Sequence, residues 1–245
     1  MMLLALFIIN IFLAIGITYF SDRYPRFIQL AWIEQSFDIV KSYRPSLHIK
    51  GPIKTSQKFK RQFFTASVRK RIYLNFALLE LYMLMGAIYY PSGFKLTLLM
   101  IFAVYTLSIA WIDLDHQYIF DSMSMSLLWI GLTINLYNIF TPTTLAITGA
   151  IFGYLVMYTI STLYRLFTKK EGLGLGDAKL MAAFGAWFGW QVIGPILLIA
   201  GILLLLTYIY YFLHPLKKTH SAIGFAPFLV TGAWISLQLI PFYLF

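Results

Sequence analysis

Nine carboxylates occur in this 245-residue chain, and five of them gather in two short stretches. One is Trp111-Ile112-Asp113-Leu114-Asp115-His116, followed shortly by Asp121. The other is Glu171-Gly172-Leu173-Gly174-Leu175-Gly176-Asp177-Ala178-Lys179. If Asp177 meets one of the upstream aspartates, a specific chemistry opens. Two carboxylates brought close cannot both ionise, so one keeps a proton while the other is charged. That state activates water against a peptide carbonyl. One Asp is the general base, and the other polarises the carbonyl and protonates the leaving amine. Gly174 and Gly176 suit close backbone approach and unusual dihedrals where a helix begins. Asp177 is expected in the first turn of that helix, where the dipole favours negative charge. Each piece alone means less. Glycine-aspartate at a loop-helix junction is usually a cap. Gly172-x-Gly174-x-Gly176 lacks the spacing and preceding strand of a nucleotide loop. Asp115-His116 is not expected to bind metal, because the four histidines are scattered and there is no cysteine.

The elements that must position these residues are membrane helices. Hydrophobic residues make up 60% and charged residues 11%, with a mean hydropathy of +0.77. Soluble domains are about half apolar and about a quarter charged. The apolar runs have the length of membrane helices, not of the alternating strands of a barrel. The expected class is all-α, a polytopic integral membrane protein of about eight transmembrane helices with one basic cytoplasmic loop. Residues 1–20 read as a first, retained transmembrane helix, since no basic residue precedes it as in a signal peptide. Residues 21–72 read as the basic cytoplasmic loop, in the favoured reading a solvated loop held near anionic lipid, with a helix on the membrane surface for part of it as the alternative. Residues 73–245 read as the bundle, with spans at Tyr73–Tyr90, Phe94–Trp111, Met123–Phe140 and Leu145–Leu166. The apolar run from Leu180 to Leu213 is too long for one span. Gly194-Pro195 is expected to split it into Leu180–Val192 and Pro195–Leu213, before a last span at Phe225–Phe245. Glu80 falls inside the second span and needs a partner within the bundle.

Charge orients this threading. Eighteen of the nineteen Lys and Arg residues fall on one side, twelve of them in residues 21–72, and only Lys95 on the other. Basic loops mark the cytoplasmic face, so both acidic stretches are expected there. The net charge of +10 is then a matter of topology and lipid contact, and no nucleic-acid partner is expected.

The two stretches together resemble the type IV prepilin peptidases, bacterial inner-membrane aspartic proteases. Glu171 to Leu180 looks like that family's Gly-x-Gly-Asp signature, and Asp113 to Gln117 with Asp121 looks like its first aspartate motif. The separation of Asp113 and Asp177, 64 positions, is similar to that of the family's catalytic pair and favours Asp113 over Asp115. Ile223-Gly224-Phe225-Ala226-Pro227-Phe228 resembles the last-helix motif. Arg71 to Glu80 resembles the second-helix entry, with Glu80 at the family's glutamate. The resemblance implies catalysis by Asp113 and Asp177, supported by Gly174, Gly176, Lys179, Glu80, Asp115 and Asp121; contact with lipid phosphate is the alternative for Lys179.

It further implies a multi-pass protein of the bacterial inner (cytoplasmic) membrane, with its active site at the cytoplasmic face. The substrate would be a type IV prepilin or pseudopilin with a basic leader, cut after glycine, whose apolar helix stays in the lipid bilayer. Proteolysis would use no cofactor. Many members then methylate the new N-terminal amine with S-adenosylmethionine, to which no residue is assigned here. The chain departs from the family in lacking the two Cys-x-x-Cys pairs, in carrying Phe120 where proline is usual, and in a faint N-terminal signature near Gly16–Pro25. Two other readings stand beside this one. An ion- or proton-coupled transporter predicts acids strung along helices, where only Glu80 lies. A non-catalytic scaffold of a secretion machine predicts that the aspartates are dispensable.

Overall fold

The computed structural model describes residues 2–43, 66–89, 93–169, 174–214 and 224–239. The regular elements among them are all helical. In order they are α1 (Met2–Tyr43), α2 (Ala66–Tyr89), α3 (Gly93–His116), α4 (Asp121–Asn135), α5 (Thr143–Thr168), α6 (Leu175–Phe188), α7 (Ile193–Leu213) and α8 (Ala226–Leu239), with a 3₁₀ turn at Trp190–Val192. The protein is thus an all-α polytopic membrane protein, as expected. Among the described residues, four stretches are long and apolar enough to cross a membrane: Arg69–Ile88, Gly93–His116, Thr143–Thr168 and Trp190–Leu213. By contrast α4 and α6, with 15 and 14 residues, are shorter than the roughly 20 needed for a full crossing.

Three expected boundaries move. α1 does not stop at Phe20 but continues, with Pro25 inside it, to Tyr43, so the first part of the expected loop is helix. The remaining 44–65 portion lies outside the described residues, as does Glu171. α3 runs on through Asp113 and Asp115 to His116, leaving only residues 117–120 as linker before α4. The break in the long apolar run falls at Gly189, whose φ of +84° is open to glycine and strained for other residues. Gly194-Pro195 does not break the chain. Pro195 sits in the first turn of α7, where its missing N–H had no helical partner to lose.

The chain divides into two compact units, Met1–Glu80 and Leu81–Phe245. In the first, polar clasps join α1 to α2. Asn75 Nδ2 donates to Thr18 Oγ1 at 2.9 Å, and Asn10 Nδ2 donates to Glu80 Oε1 at 2.9 Å. Glu80 therefore has the partner that its depth in an apolar helix demands.

The second unit is built around α6. Every residue from Leu180 to Phe188 is buried, which explains why this helix is apolar on all sides. It packs mainly on α5 and α4. Contact with α5 is backbone to backbone: a Cβ on Gly185 would lie 2.1 Å from the Gly149 carbonyl oxygen, and one on Gly153 would lie 2.7 Å from that of Met181. Gly149 and Gly153 form a small-xxx-small pair, the pattern that lets membrane helices approach closely. On the α4 side, Trp187 lies over Gly131, where a Cβ would meet its ring at 2.3 Å. The Trp187 indole Nε1 donates to the Leu127 carbonyl at 2.8 Å.

Asn135, at the end of α4, closes this unit. Its Nδ2 donates to the carbonyls of Ala186 and Trp187, each at 2.8 Å. Its Oδ1 accepts from the N–H groups of Phe140 and Thr141 at 3.0 and 3.2 Å. One fully buried amide thus caps the end of α6 and ties down the α4–α5 turn. Asn135→Leu leaves several of these backbone groups unpaired. It is expected to destabilise the protein by roughly 2–4 kcal/mol, readable as a drop in the thermal unfolding midpoint in detergent. An unchanged midpoint would count against the capping role.

Candidate active site

Asp113 occupies the last turn of α3 and Asp177 the first turn of α6. Both are buried, with relative exposures of 5% and 7%, and both line one open cleft of about 810 Å³. Its walls come from the end of α3 and the 117–120 linker, the start of α4, the last turns of α5, the start of α6, and Gly224-Phe225 ahead of α8. Asp113 Oδ2 accepts a hydrogen bond from the N–H of Ala226, the first residue of α8, at 2.9 Å. Asp177 Oδ2 accepts one from the N–H of Gly174, the N-cap of its own helix, at 3.2 Å. Each carboxylate is therefore held by a backbone donor at a helix start. Such donors have no partner within their own helix.

Asp177 lies ahead of the apolar run that begins at Leu180. Burial, then the charge of Asp113, push its carboxyl up from 3.8 to about 7, and the Gly174 N–H pulls the other way. The two carboxylates therefore feel each other, and near neutral pH such a pair holds one proton between them.

The other candidates sort by position. Asp115 is exposed and is not part of the cleft lining. Two residues along a helix turn the chain through about 200°, so Asp113 and Asp115 cannot face the same way. Asp121 starts α4 at the cleft edge and forms an ion pair with Lys179, which is itself half-buried. That contact gives Lys179 a protein partner in place of the lipid phosphate considered from sequence. Glu80 belongs to the first unit, where it pairs with Asn10. Among the described residues no group of three or more His, Cys, Asp or Glu could hold a metal ion.

The glycines act differently from expectation. Gly174 has an ordinary extended backbone, φ −74° and ψ 151°, and Gly176 has no positive φ either. Unusual dihedrals are not their purpose. A Cβ at 176 would approach Ile119 Cβ to 2.9 Å, so Gly176 lets the 117–120 linker lie on α6. At 174 a Cβ would meet only Asp177 Oδ2 at 3.7 Å and the Gly176 nitrogen at 3.8 Å, which is ordinary contact. Among the glycines lining the cleft the tightest approach is at Gly224, where a Cβ would lie 2.3 Å from Asp113 Oδ2. From sequence, Gly224 is visible only as part of the last-helix motif, with no role of its own. Arg165 lines the cleft from α5; in the sequence it is one more charge on the expected cytoplasmic side.

The sequence profile of the type IV leader peptidase family matches residues 98–210. That segment carries both buried aspartates and the helices that hold them. It is similar to the type IV leader peptidase family. Curated relatives named prepilin leader peptidase/N-methyltransferase are similar over a wider stretch. That of Stutzerimonas stutzeri is 37% identical over 131 residues, 54% of this chain and 45% of its own. That of Neisseria gonorrhoeae is 34% identical over 174 residues, 69% of this chain and 59% of its own. That of Aeromonas salmonicida is 39% identical over 132 residues, 53% of this chain and 45% of its own. The chain thus spans about half the length of the curated relatives it matches. No solved structure matches it.

Proposed function

We propose that this protein is a membrane aspartic endopeptidase that removes the basic leader from type IV prepilins or pseudopilins, with Asp113 and Asp177 as the catalytic pair. One observation carries the reading: two buried carboxylates, brought from the ends of two helices into one open cleft, lie within the family-matched segment. One carboxylate takes the proton of the attacking water, while the protonated partner polarises the scissile carbonyl and then protonates the leaving amine. Asp121 and Lys179 brace the cleft edge. The lopsided distribution of Lys and Arg supports a cytoplasmic active site in a bacterial inner membrane. The substrate's apolar helix would pack in the bundle and supply most of the binding energy. A transporter would string its acids along helices; here, among the described residues, both buried carboxylates of the second unit sit at helix ends.

Methylation of the released amine is part of the proposal. Its donor, S-adenosylmethionine, carries a sulfonium cation and an adenine ring. The cleft offers carboxylates for the first and the aromatic faces of Tyr118 and Phe225 for the second. The donor would supply an electrophilic methyl group; the residues around it would have to leave the amine unprotonated.

The test is co-expression of this chain with a candidate prepilin. The expected result is a shift to the mature size, and mass spectrometry then reads the new N-terminus. Absence of any size shift across a panel of prepilins and pseudopilins would overturn the peptidase reading. An unmodified amine in otherwise normal product would overturn only the methylation.

A further inference from the structure

We propose that Arg165 is the product-carboxylate site: it takes the new C-terminal carboxylate of the leader once the peptide bond is cut. The assignment rests on the peptidase reading above. Among the described residues, the charged ones lining the cleft are Asp113, Asp121, Asp177, Arg165 and Lys179. Lys179 is engaged with Asp121, and among the described residues Arg165 makes no ion pair. Among the described residues that line the cleft, it is the uncommitted cation.

Its surroundings are equally informative. Tyr158, Ser161, Thr162 and Arg165 all line the cleft and follow one another at the spacing of a single helix face. They belong to α5, a helix otherwise long and apolar enough to cross a membrane. A polar stripe on such a helix belongs against a polar cavity, not against lipid. The cleft therefore has two chemically different walls. One carries the aspartate pair, and the other carries hydroxyls ending in a guanidinium.

Hydrolysis creates the group that the second wall fits. The aspartate pair takes a proton from the attacking water, whose oxygen bonds to the scissile carbon; the C–N bond breaks, and the leaving nitrogen takes a proton from the pair. The acid product then gives its remaining proton to solvent water and becomes a carboxylate on the leader. That carboxylate forms beside a buried aspartate pair already carrying one negative charge, so like charges meet where water screens them poorly. A guanidinium binds carboxylates through two parallel N–H donors, a geometry that an ammonium cannot match. Arg165 thereby draws the cut leader away from the pair and frees it for the next water.

The probes are two synthetic leader peptides of identical sequence ending in glycine, one a free acid and one a C-terminal amide. Each is titrated as a competitor of prepilin cleavage by the full chain in lipid bilayers. The free acid is expected to inhibit the wild type roughly tenfold more strongly than the amide. Arg165→Gln should bring the ratio to about 1, and Arg165→Lys should leave it in between. The readout is a ratio within each variant, so the amount of active enzyme cancels. Fluorescence anisotropy of the labelled peptides gives the same ratio for a variant that cleaves too slowly. Equal inhibition of the wild type by acid and amide overturns the assignment, as does a ratio that survives in Arg165→Gln. A wild-type chain that cleaves no prepilin fails the peptidase reading and this assignment together. One that cleaves but does not distinguish the peptides fails the assignment alone.

Discussion

Asp113→Asn and Asp177→Asn should each lower prepilin cleavage about a thousandfold or more, since general acid–base transfer is worth roughly 10²–10⁴ and each variant breaks a pair that shares one proton. Asp115→Asn should stay within about threefold of the wild type, because Asp115 is exposed and outside the cleft lining. If Asp115→Asn is inactive and Asp113→Asn active, the pair is misassigned. The pH profile follows from the same electrostatics. The Asp177 carboxyl is pushed up to about 7, so cleavage should fall on the alkaline side as the shared proton is lost near that pH.

Stability separates loss of chemistry from loss of fold. The folded pKa of Asp177 is raised from 3.8 to about 7, so between these values the folded state binds more protons than the unfolded one. The contribution of Asp177 to stability is therefore highest below pH 3.8, falls as pH rises through that window, and is level above about 7. Asp177→Asn removes the buried ionisable group. Above pH 7 it should unfold no earlier than the wild type while cleaving almost nothing. A variant that is both inactive and much less stable would point to a structural role instead.

What the sequence made legible was the class, the helix order and the pair of acidic stretches. Each rests on a signal that survives in one dimension: long apolar runs, lopsided charge, and carboxylates where apolar composition makes them conspicuous. Helix ends were less legible. α3 runs through Ile112–His116 because its Asp113 is held from outside, by the Ala226 N–H more than a hundred residues away. Polarity alone made that stretch look like a loop. The break at Gly189 was missed for a related reason. A glycine with positive φ leaves no mark that distinguishes it from Gly185 four residues earlier, which packs inside α6.

The roles of the glycines were the least legible feature, because steric need depends on what lies opposite. Gly174 and Gly176 stand beside an aspartate and drew attention for that reason. Gly149 and Gly153 sit in an apolar run, yet they set the approach of α5 to the helix that carries Asp177. Asn135 was invisible for the same reason: its four partners come from the end of α6 and the α4–α5 turn.

Gly224 turns this into a graded experiment. An Ala there would place Cβ 2.3 Å from Asp113 Oδ2, 2.7 Å from its Cγ and 2.9 Å from its backbone oxygen. The carboxylate is short and the third neighbour is main chain, so no flexible side-chain end can swing away. Either the Asp113 carboxyl rotates off its position or residues 224–226 move outward, and either way the 2.9 Å bond from the Ala226 N–H is lost. Misplacing a reacting group by about 1 Å costs on the order of a hundredfold, and Gly224→Ala should lose at least that much cleavage. Gly176→Ala meets only Ile119, at 2.9 Å, and shifts the linker; it should cost roughly tenfold, about half of a full misplacement on an energy scale. Gly174→Ala meets nothing closer than 3.7 Å and should remain within about threefold of the wild type. If reading from motif spacing alone were sufficient, the order would be reversed: the two glycines beside Asp177 would be critical and Gly224 dispensable. Initial cleavage rates of the three variants at equal protein level decide between the two. Near-normal cleavage by Gly224→Ala would show that Asp113 does not need the position in which the Ala226 N–H holds it.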